Sequence, residues 1–477
     1  MITGSKKTNH TVFKKYDIRG IVDHELFIDD TYRIAQAIAT YFRQQQPTLT
    51  SLIVGMDGRI HSPQIKQQVC TAIQDMGINV IFIGVCPTPA FYYANQVLPA
   101  AGGIMITASH NPKEYNGLKL LLNKINVFDQ EITAIKDLFF SDHQFLPAHR
   151  HGNYQEHDII SAYINFLESQ FAALKHSTLT AVIDCAHGAT AAVIPQLVQR
   201  MSWKNVKLIN DYVDGNFPAH EANPTIDDNI KDVQQRIKIT PNCVGIGFDG
   251  DGDRMVAVTE QGTPVRGDEC YTLFAQALAE EIGPFTLVVD IKCANALLRL
   301  LQSHALNYIL APCGVGFVRN EMRKHHALFG GELSCHYCFN DRYFGYDDGI
   351  YAMMRLFELI TTRKTTLQHR YAQLPTRYFS PELRIHCAPE KKWTIVEQVK
   401  KEVASYPNSS LITIDGIRLE VPHGCVTLRA SNTEPLISLR IEGTNQKNLD
   451  TLIQEFYTLL VPHVDRTTLA KTMNIKI

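Results

Sequence analysis

The sequence predicts three similar α/β domains in a row, followed by a smaller α+β domain. Three observations carry this. The chain has 477 residues, too many for one core when domains usually hold roughly 100–200. A strand–helix–strand–strand pattern recurs three times, each copy opening on an apolar strand that ends in Asp. The last hundred or so residues break that rhythm and group their strands together.

The three copies open on Leu52-Ile-Val-Gly-Met-Asp57, Ala181-Val-Ile-Asp184 and Leu287-Val-Val-Asp290. About two dozen residues or fewer lead to a second strand, as a βαβ crossover requires. Those strands are Val80-Ile-Phe-Ile-Gly84, Val206-Lys-Leu-Ile209 and Tyr308-Ile-Leu310. A third strand then runs into a loop rich in chemistry: Thr107-Ala-Ser-His-Asn-Pro112, Asp249-Gly-Asp-Gly-Asp-Arg254 and Gly331-Glu-Leu-Ser-Cys-His336. Sites in α/β sheets gather beyond the carboxyl ends of strands, so the three loops are expected to face a shared cleft. In the last part, strands are predicted at 383–386, 411–414, 417–421, 425–428 and 436–441, with helices over 393–405 and 447–460. The expected domains are 1–150, 151–256, 257–370 and 371–477.

Composition narrows the function class. Apolar residues make up 45% and charged residues 20%, with a net charge of −2. That is ordinary for a soluble globular protein and supplies no basic field for nucleic acid or an anionic membrane. Eleven scattered cysteines without a signal peptide read as reduced thiols of a cytoplasmic protein. Cys335-His-Tyr-Cys338 lacks a second CxxC partner and argues against zinc. The stretch from Met76 to Ser109 carries no charge, but its prolines and glycines exclude a continuous membrane helix.

The second loop is the most informative. In an extended loop, residues i, i+2 and i+4 point to one side, so Asp249, Asp251 and Asp253 converge. Three clustered carboxylates repel unless a cation sits among them, and all-oxygen donors suit Mg²⁺, Ca²⁺ or Mn²⁺. Two other motifs overlap this stretch. Gly245-x-Gly247-x-x-Gly250 has the dinucleotide spacing, but a strand, not a helix, is predicted after it. Asp249, Asp251, Asp253 and Glu260 have EF-hand spacing, but Arg254 occupies the position that needs Gly. Near the C-terminus, Arg429, Ser431, Asn432 and Thr433 combine a guanidinium fork, hydroxyls and an amide, a suitable dianion receptor. Ser109, outside any GxSxG elbow, becomes a candidate nucleophile when set beside a metal loop and a phosphate receptor, the parts phosphoryl transfer needs.

These residues resemble the α-D-phosphohexomutases, most closely the phosphomannomutase/phosphoglucomutase branch. The resemblance runs nearly end to end: Tyr16-Asp-Ile-Arg-Gly20, 107–112, Tyr115-Asn-Gly-Leu-Lys119, Asp214-Gly-Asn-Phe-Pro218, 249–254, 331–336, Phe344-Gly-Tyr-Asp-Asp-Gly349 and 429–435. It implies three α/β domains with mixed sheets and a fourth resembling the TATA-binding-protein fold, around a central cleft. It further implies a phosphorylated Ser109, with one Mg²⁺ held by Asp249, Asp251, Asp253 and the phosphoserine. Glu332 and Ser334 would grip sugar hydroxyls with His336 nearby, and Arg429, Ser431, Asn432 and Thr433 would hold the phosphate not in transfer. Tyr16, Arg19 and Arg254 would line the cleft, His110 stands beside the nucleophile, and Lys119 is the expected general acid/base, its pKa lowered towards neutrality. The implied reaction interconverts hexose 6-phosphate and hexose 1-phosphate through a hexose 1,6-bisphosphate, in a monomer or weak homodimer. A phosphoglucosamine mutase and a non-catalytic phosphosugar-binding regulator are the alternatives.

The chain also departs from the pattern. Where relatives commonly carry a Lys and then Thr-Gly-His, it has Ala311-Pro-Cys-Gly-Val-Gly-Phe317, and Cys335 stands where Gly is usual. Leu333 is closer to the Met of the mannose/glucose branch than to the Gln of phosphoglucosamine mutases.

Overall fold

The structure, a computed structural model, describes residues 7–145, 147–388, 390–431 and 435–475. The chain forms two compact units: residues 1–266 with 334–337 and 346–369, and residues 267–333 with 338–345 and 370–477. No helix among the described residues is long and apolar enough to cross a membrane.

The first unit holds two sheets. In the first, Ser51–Met56 lies between Asn79–Val85 and Gly102–Ile106, parallel to both. Tyr115–Leu122 then runs antiparallel to Gly102–Ile106, and Ile18–Ile21 antiparallel to Tyr115–Leu122. Tyr154–Glu156 adds a parallel edge strand beyond Asn79–Val85. Helix Asp30–Gln45 sets Ile34, Ile38 and Phe42 on one face at helical spacing. It packs with Leu52, Val54, Ile65, Val69 and Ile135 into a core closed to solvent. In the second sheet, Thr180–Asp184 lies between Val206–Ile209 and Cys243–Phe248, parallel to both. Met255–Val258 follows antiparallel. Every residue of Cys243–Phe248 is buried, as a strand covered on both faces must be.

In the second unit, Thr286–Asp290 again lies between its two parallel neighbours, Asn307–Ala311 and Phe329–Gly331. The same order, second strand, first strand, third strand, thus recurs in three sheets. This bears out the internal repeat, and in each case the chemistry-bearing loop follows the third strand. The last sheet is antiparallel throughout, with Leu436–Gly443 paired to Gly424–Ala430, Leu383–His386 and Tyr378–Phe379. The expected strand at 411–414 is Ser410–Ile412, because the chain turns at Asp415-Gly416, where Gly416 has φ +79°. The expected polar loop at 429–435 also starts later: Arg429 and Ala430 belong to the strand Gly424–Ala430.

Register decides what the first sheet offers. Arg19 pairs with Gly117 and Met105 with Lys119. Cross-strand partners share a face, as do residues two apart, so Arg19 and Lys119 project to the same side. Gly117 leaves room there, since a Cβ would fall 2.2 Å from the Ile18 carbonyl oxygen. Gly117→Ala is therefore expected to destabilise the protein by about 1–3 kcal/mol through overpacking, measured by urea denaturation.

Candidate functional site

The strand Cys243–Phe248 delivers the acidic loop, and the antiparallel return at Met255 folds it into a tight connection. Asp249, Asp251 and Asp253 are all buried, with carboxylate oxygens within 4.8 Å of one another. The strand after the loop removes both the dinucleotide and the EF-hand readings. Asp249 Oδ1 accepts the N–H groups of Gly252 and Arg254, at 3.0 and 3.2 Å. Asp249 Oδ2 accepts the Ser109 hydroxyl at 2.8 Å. Asp251 Oδ2 accepts Thr88 Oγ1 at 2.5 Å and Lys119 Nζ at 2.7 Å. Lys119 also pairs with Asp253. Asp251 Oδ1 is buried without a hydrogen-bond partner among the described residues. A hard-oxygen triad with an orphaned carboxylate oxygen fits a divalent cation, and this cluster could bind one.

Ser109 sits in the left-handed region, φ +51°, with its N–H held by Thr107 Oγ1 at 2.9 Å. It is 2% exposed. Gly250 comes so close that a Cβ there would lie 2.5 Å from the Ser109 carbonyl oxygen, so a side chain at 250 would push the two loops apart. His110 Nδ1 lies 3.2 Å from Ser109 Oγ. Arg19 donates to Asn111 Oδ1 at 2.6 Å and pairs with Asp17.

Burial and the charges of Asp253 and Asp251 hold the Asp249 carboxyl well above its usual range. Burial acts the same way on Asp253, but Lys119 and His336 overcome it and hold that carboxyl well below. Burial, with Arg254 and Arg19 close by, keeps His110 well below the usual imidazole value. Lys119 was to have a lowered pKa; burial does act that way, but the attraction of Asp251 and Asp253 wins and raises it well above normal. Its neighbours are anionic, not cationic, so it stands as an ammonium.

His336 joins the same group. Its Nδ1 meets Ser334 Oγ at 3.1 Å, Arg254 Nε donates to its Nε2 at 3.2 Å, and Asp253 Oδ1 lies 3.4 Å away. Cys335, between them, has φ +68°. Glycine adopts that conformation freely, while a side chain there costs on the order of 1–2 kcal/mol, so the departure from Gly is a strained one.

In the second unit, Glu332 is buried and accepts the Gly314 N–H at 2.7 Å. Asp290 accepts the Leu333 N–H at 3.3 Å. Burial raises the Asp290 pKa to about 7, with Glu332 adding to it against Lys292. Arg429 Nε donates to Asp415 Oδ2 at 3.0 Å, which also takes the Cys313 N–H at 3.0 Å. Lys392 Nζ donates to the Ser431 carbonyl at 2.6 Å. Asn432 and Thr433 lie outside the described residues, and Tyr16 is half-buried. Sequence reasoning passed over Arg59, Thr88 and Lys292, and quoted Asp347 only within the Phe344–Gly349 motif, without a role. Asp347 could share a cation with Asp253 and His336. A charged residue just past a strand-ending Asp, as at Asp57-Gly-Arg59 and Asp290-Ile-Lys292, was the available signal.

Four family descriptions match this chain in order. They are phosphoglucomutase/phosphomannomutase alpha/beta/alpha domain I at residues 10–145, domain II at 161–262, domain III at 266–378, and the C-terminal domain at 382–459. A phosphomannomutase/phosphoglucomutase from Pseudomonas syringae pv. tomato is 33% identical over 94% of this chain and 95% of its own. A phosphoglucomutase from Neisseria meningitidis serogroup A is 32% identical over 94% of this chain and 96% of its own. The crystal structure of a phosphoglucomutase/phosphomannomutase family protein from Burkholderia thailandensis superposes with a TM-score of 0.87 at 28% identity, covering 96% of this chain and 98% of that one.

Two outcomes follow from the site. Mg²⁺ is expected to raise the melting temperature of chelator-treated protein. At a hundred times its Kd the gain is about 2.7 kcal/mol, and Asp251→Asn should lose most of it. The second concerns Glu382, which Lys292 holds down at about 2 from an ordinary 4.5. A depressed carboxyl stabilises above its unfolded value and loses that contribution as pH falls through the folded one. Glu382→Gln should therefore flatten the stability curve between about pH 4.5 and 2, as read by denaturant titrations.

Proposed function

Since the chain belongs to the phosphoglucomutase/phosphomannomutase family, we propose that it interconverts hexose 6-phosphate and hexose 1-phosphate, of mannose, glucose or both, through a phosphoserine at Ser109 and a hexose 1,6-bisphosphate. The observation that carries this reading is the 2.8 Å hydrogen bond from Ser109 Oγ to Asp249 of the buried triad. It sets a hydroxyl against a cluster suited to hold a cation that neutralises a phosphoryl group.

In this reading phospho-Ser109 gives its phosphoryl group to the free hydroxyl of a hexose monophosphate. The P–Oγ bond breaks, a P–O bond to the sugar forms, and one proton moves from the sugar hydroxyl to Ser109 Oγ. The bisphosphate turns over, and the other phosphoryl group returns to Ser109 by the reverse exchange of bonds and proton. A Mg²⁺ ion on Asp249, Asp251 and Asp253 would supply charge neutralisation at the transferring oxygens. Lys119 serves as general acid/base, starting as the ammonium that Asp251 and Asp253 favour. His110, kept neutral, accepts or donates a hydrogen bond at Ser109 Oγ. Arg19, Arg254 and Tyr16 bind phosphate oxygens, with Arg254 also orienting His336. Glu332, Ser334 and His336 select the sugar, and Arg429, Ser431, Asn432 and Thr433 hold the phosphate not in transfer. The eleven cysteines, all free and ten of them buried, support a cytoplasmic setting.

Ser109→Ala is expected to abolish both phosphoenzyme, read by intact mass, and turnover. A mutant that kept both would end this reading. Coupled assays on mannose, glucose and glucosamine 1-phosphates should give the first two measurable turnover and the third little.

A further inference from the structure

Arg59 follows the first strand of the first sheet and is 1% exposed. A buried guanidinium has five N–H donors in a rigid fork, and all five find acceptors. Nε donates to Asp57 Oδ2 at 3.1 Å. Nη1 donates to the carbonyls of Pro112 and Tyr115, at 2.7 and 3.1 Å. Nη2 donates to the carbonyls of Ser109 and Asn111, at 2.8 and 2.6 Å. Four of the five acceptors are thus main-chain oxygens, three of them in the loop that carries Ser109 and the fourth on Tyr115, where the next strand begins. Asp57, which anchors the fork, is itself fixed: its Oδ1 takes the Arg59 N–H at 3.0 Å and Ser62 Oγ at 2.8 Å. The guanidinium lies over the Phe217 ring, whose centre is 5.2 Å from Arg59 Cζ. Phe217 belongs to the Asp214–Pro218 motif, for which the catalytic reading has no use, and it is held with φ +49°.

We infer that Arg59, covered by Phe217, is a positioning residue that fixes the backbone of residues 109–115 and so sets the direction of Ser109 Oγ towards Asp249. The inference rests on the reading of Ser109 as the phosphoryl carrier. Its physical basis is the mismatch between the loop and any regular structure. Ser109 is left-handed, and the loop carbonyls of 109, 111 and 112 converge with that of Tyr115, at the start of the next strand, on one guanidinium. Converging carbonyls repel one another and need a multivalent donor between them. Lysine has a single nitrogen and no fork, so it cannot serve four carbonyls and a carboxylate together. In-line transfer is sensitive to displacements of about 1 Å, worth roughly 100-fold in rate. The effect of loosening the loop therefore falls on the transfer step and not on sugar binding by other residues.

The test uses dephosphorylated full-length protein with Mg²⁺ and glucose 1,6-bisphosphate as phosphoryl donor. Transfer to Ser109 is followed by quenched-flow intact mass, per folded molecule, alongside steady-state kcat and KM. Arg59→Lys is expected to slow transfer and kcat by about 100-fold while KM for the hexose phosphate stays within about threefold, the signature of an interaction that acts on the transfer step. Phe217→Leu, which keeps apolar bulk and removes the ring face, should act in the same direction by several-fold. It serves as the measured variant if Arg59→Lys does not fold. Wild-type transfer rates in the variant tested overturn the inference, as does a rise in KM with kcat unchanged. Wild-type protein that takes no phosphoryl group on Ser109 overturns the Ser109 reading itself. Normal labelling of the wild type with an unaffected variant removes only the role of Arg59.

Discussion

Asp249, Asp251 and Asp253 lie within 4.8 Å of one another and away from solvent, and the cost of holding three carboxylates so close is the constraint on which the first unit depends. Two unit charges about 4 Å apart repel by on the order of 4 kcal/mol at the effective dielectric of a protein. The loop therefore draws donors from elsewhere in the chain. Lys119 comes from the strand Tyr115–Leu122, Thr88 from the start of the helix Thr88–Val97, and Ser109 from the loop after Gly102–Ile106. Each contact joins the first sheet to the second. The two sheets are thus tied together by the same carboxylates that could hold a cation.

The titration behaviour follows from this arrangement. Proton affinity is pushed in opposite directions on two carboxylates of one loop: burial and the charges of Asp253 and Asp251 push it up on Asp249, while Lys119 and His336 outweigh burial on Asp253. The arrangement also explains why Lys119 is an ammonium here. Family resemblance supplies a role for a lysine at this place, but its charge state is set by the two carboxylates in contact with it.

The second unit is organised around a different problem, the fixing of loops by buried charge. Arg418 reaches the carbonyls of Ile291 and Cys293, Arg440 that of Lys292, and Glu442 takes the N–H groups of Asn295 and Ala296. Side chains of the antiparallel sheet thus grip the segment that carries Lys292. The substituted loop at 311–317 is held in the same way, by Asp415 on Cys313 and Glu332 on Gly314.

The sequence by itself determined the repeat, the strands that carry the loops, and which residues are candidates for the chemistry. These follow from local rules: apolar strands, crossover lengths, and the chemistry of Asp-Gly-Asp-Gly-Asp-Arg, whose alternation turns three carboxylates one way. Ser109, Asp249, Asp251 and Asp253 were legible for the same reason, since each motif is contiguous. Only the tertiary structure decided which groups meet. Lys119 reaches Asp251 and Asp253 from more than a hundred residues away, and Arg59 touches the serine loop from fifty residues away. No local pattern encodes such contacts. The charge state of Lys119, the strain at Cys335 and the clamp at Arg59 depend on distances between elements far apart in the chain, and those distances exist only once the sheets have packed.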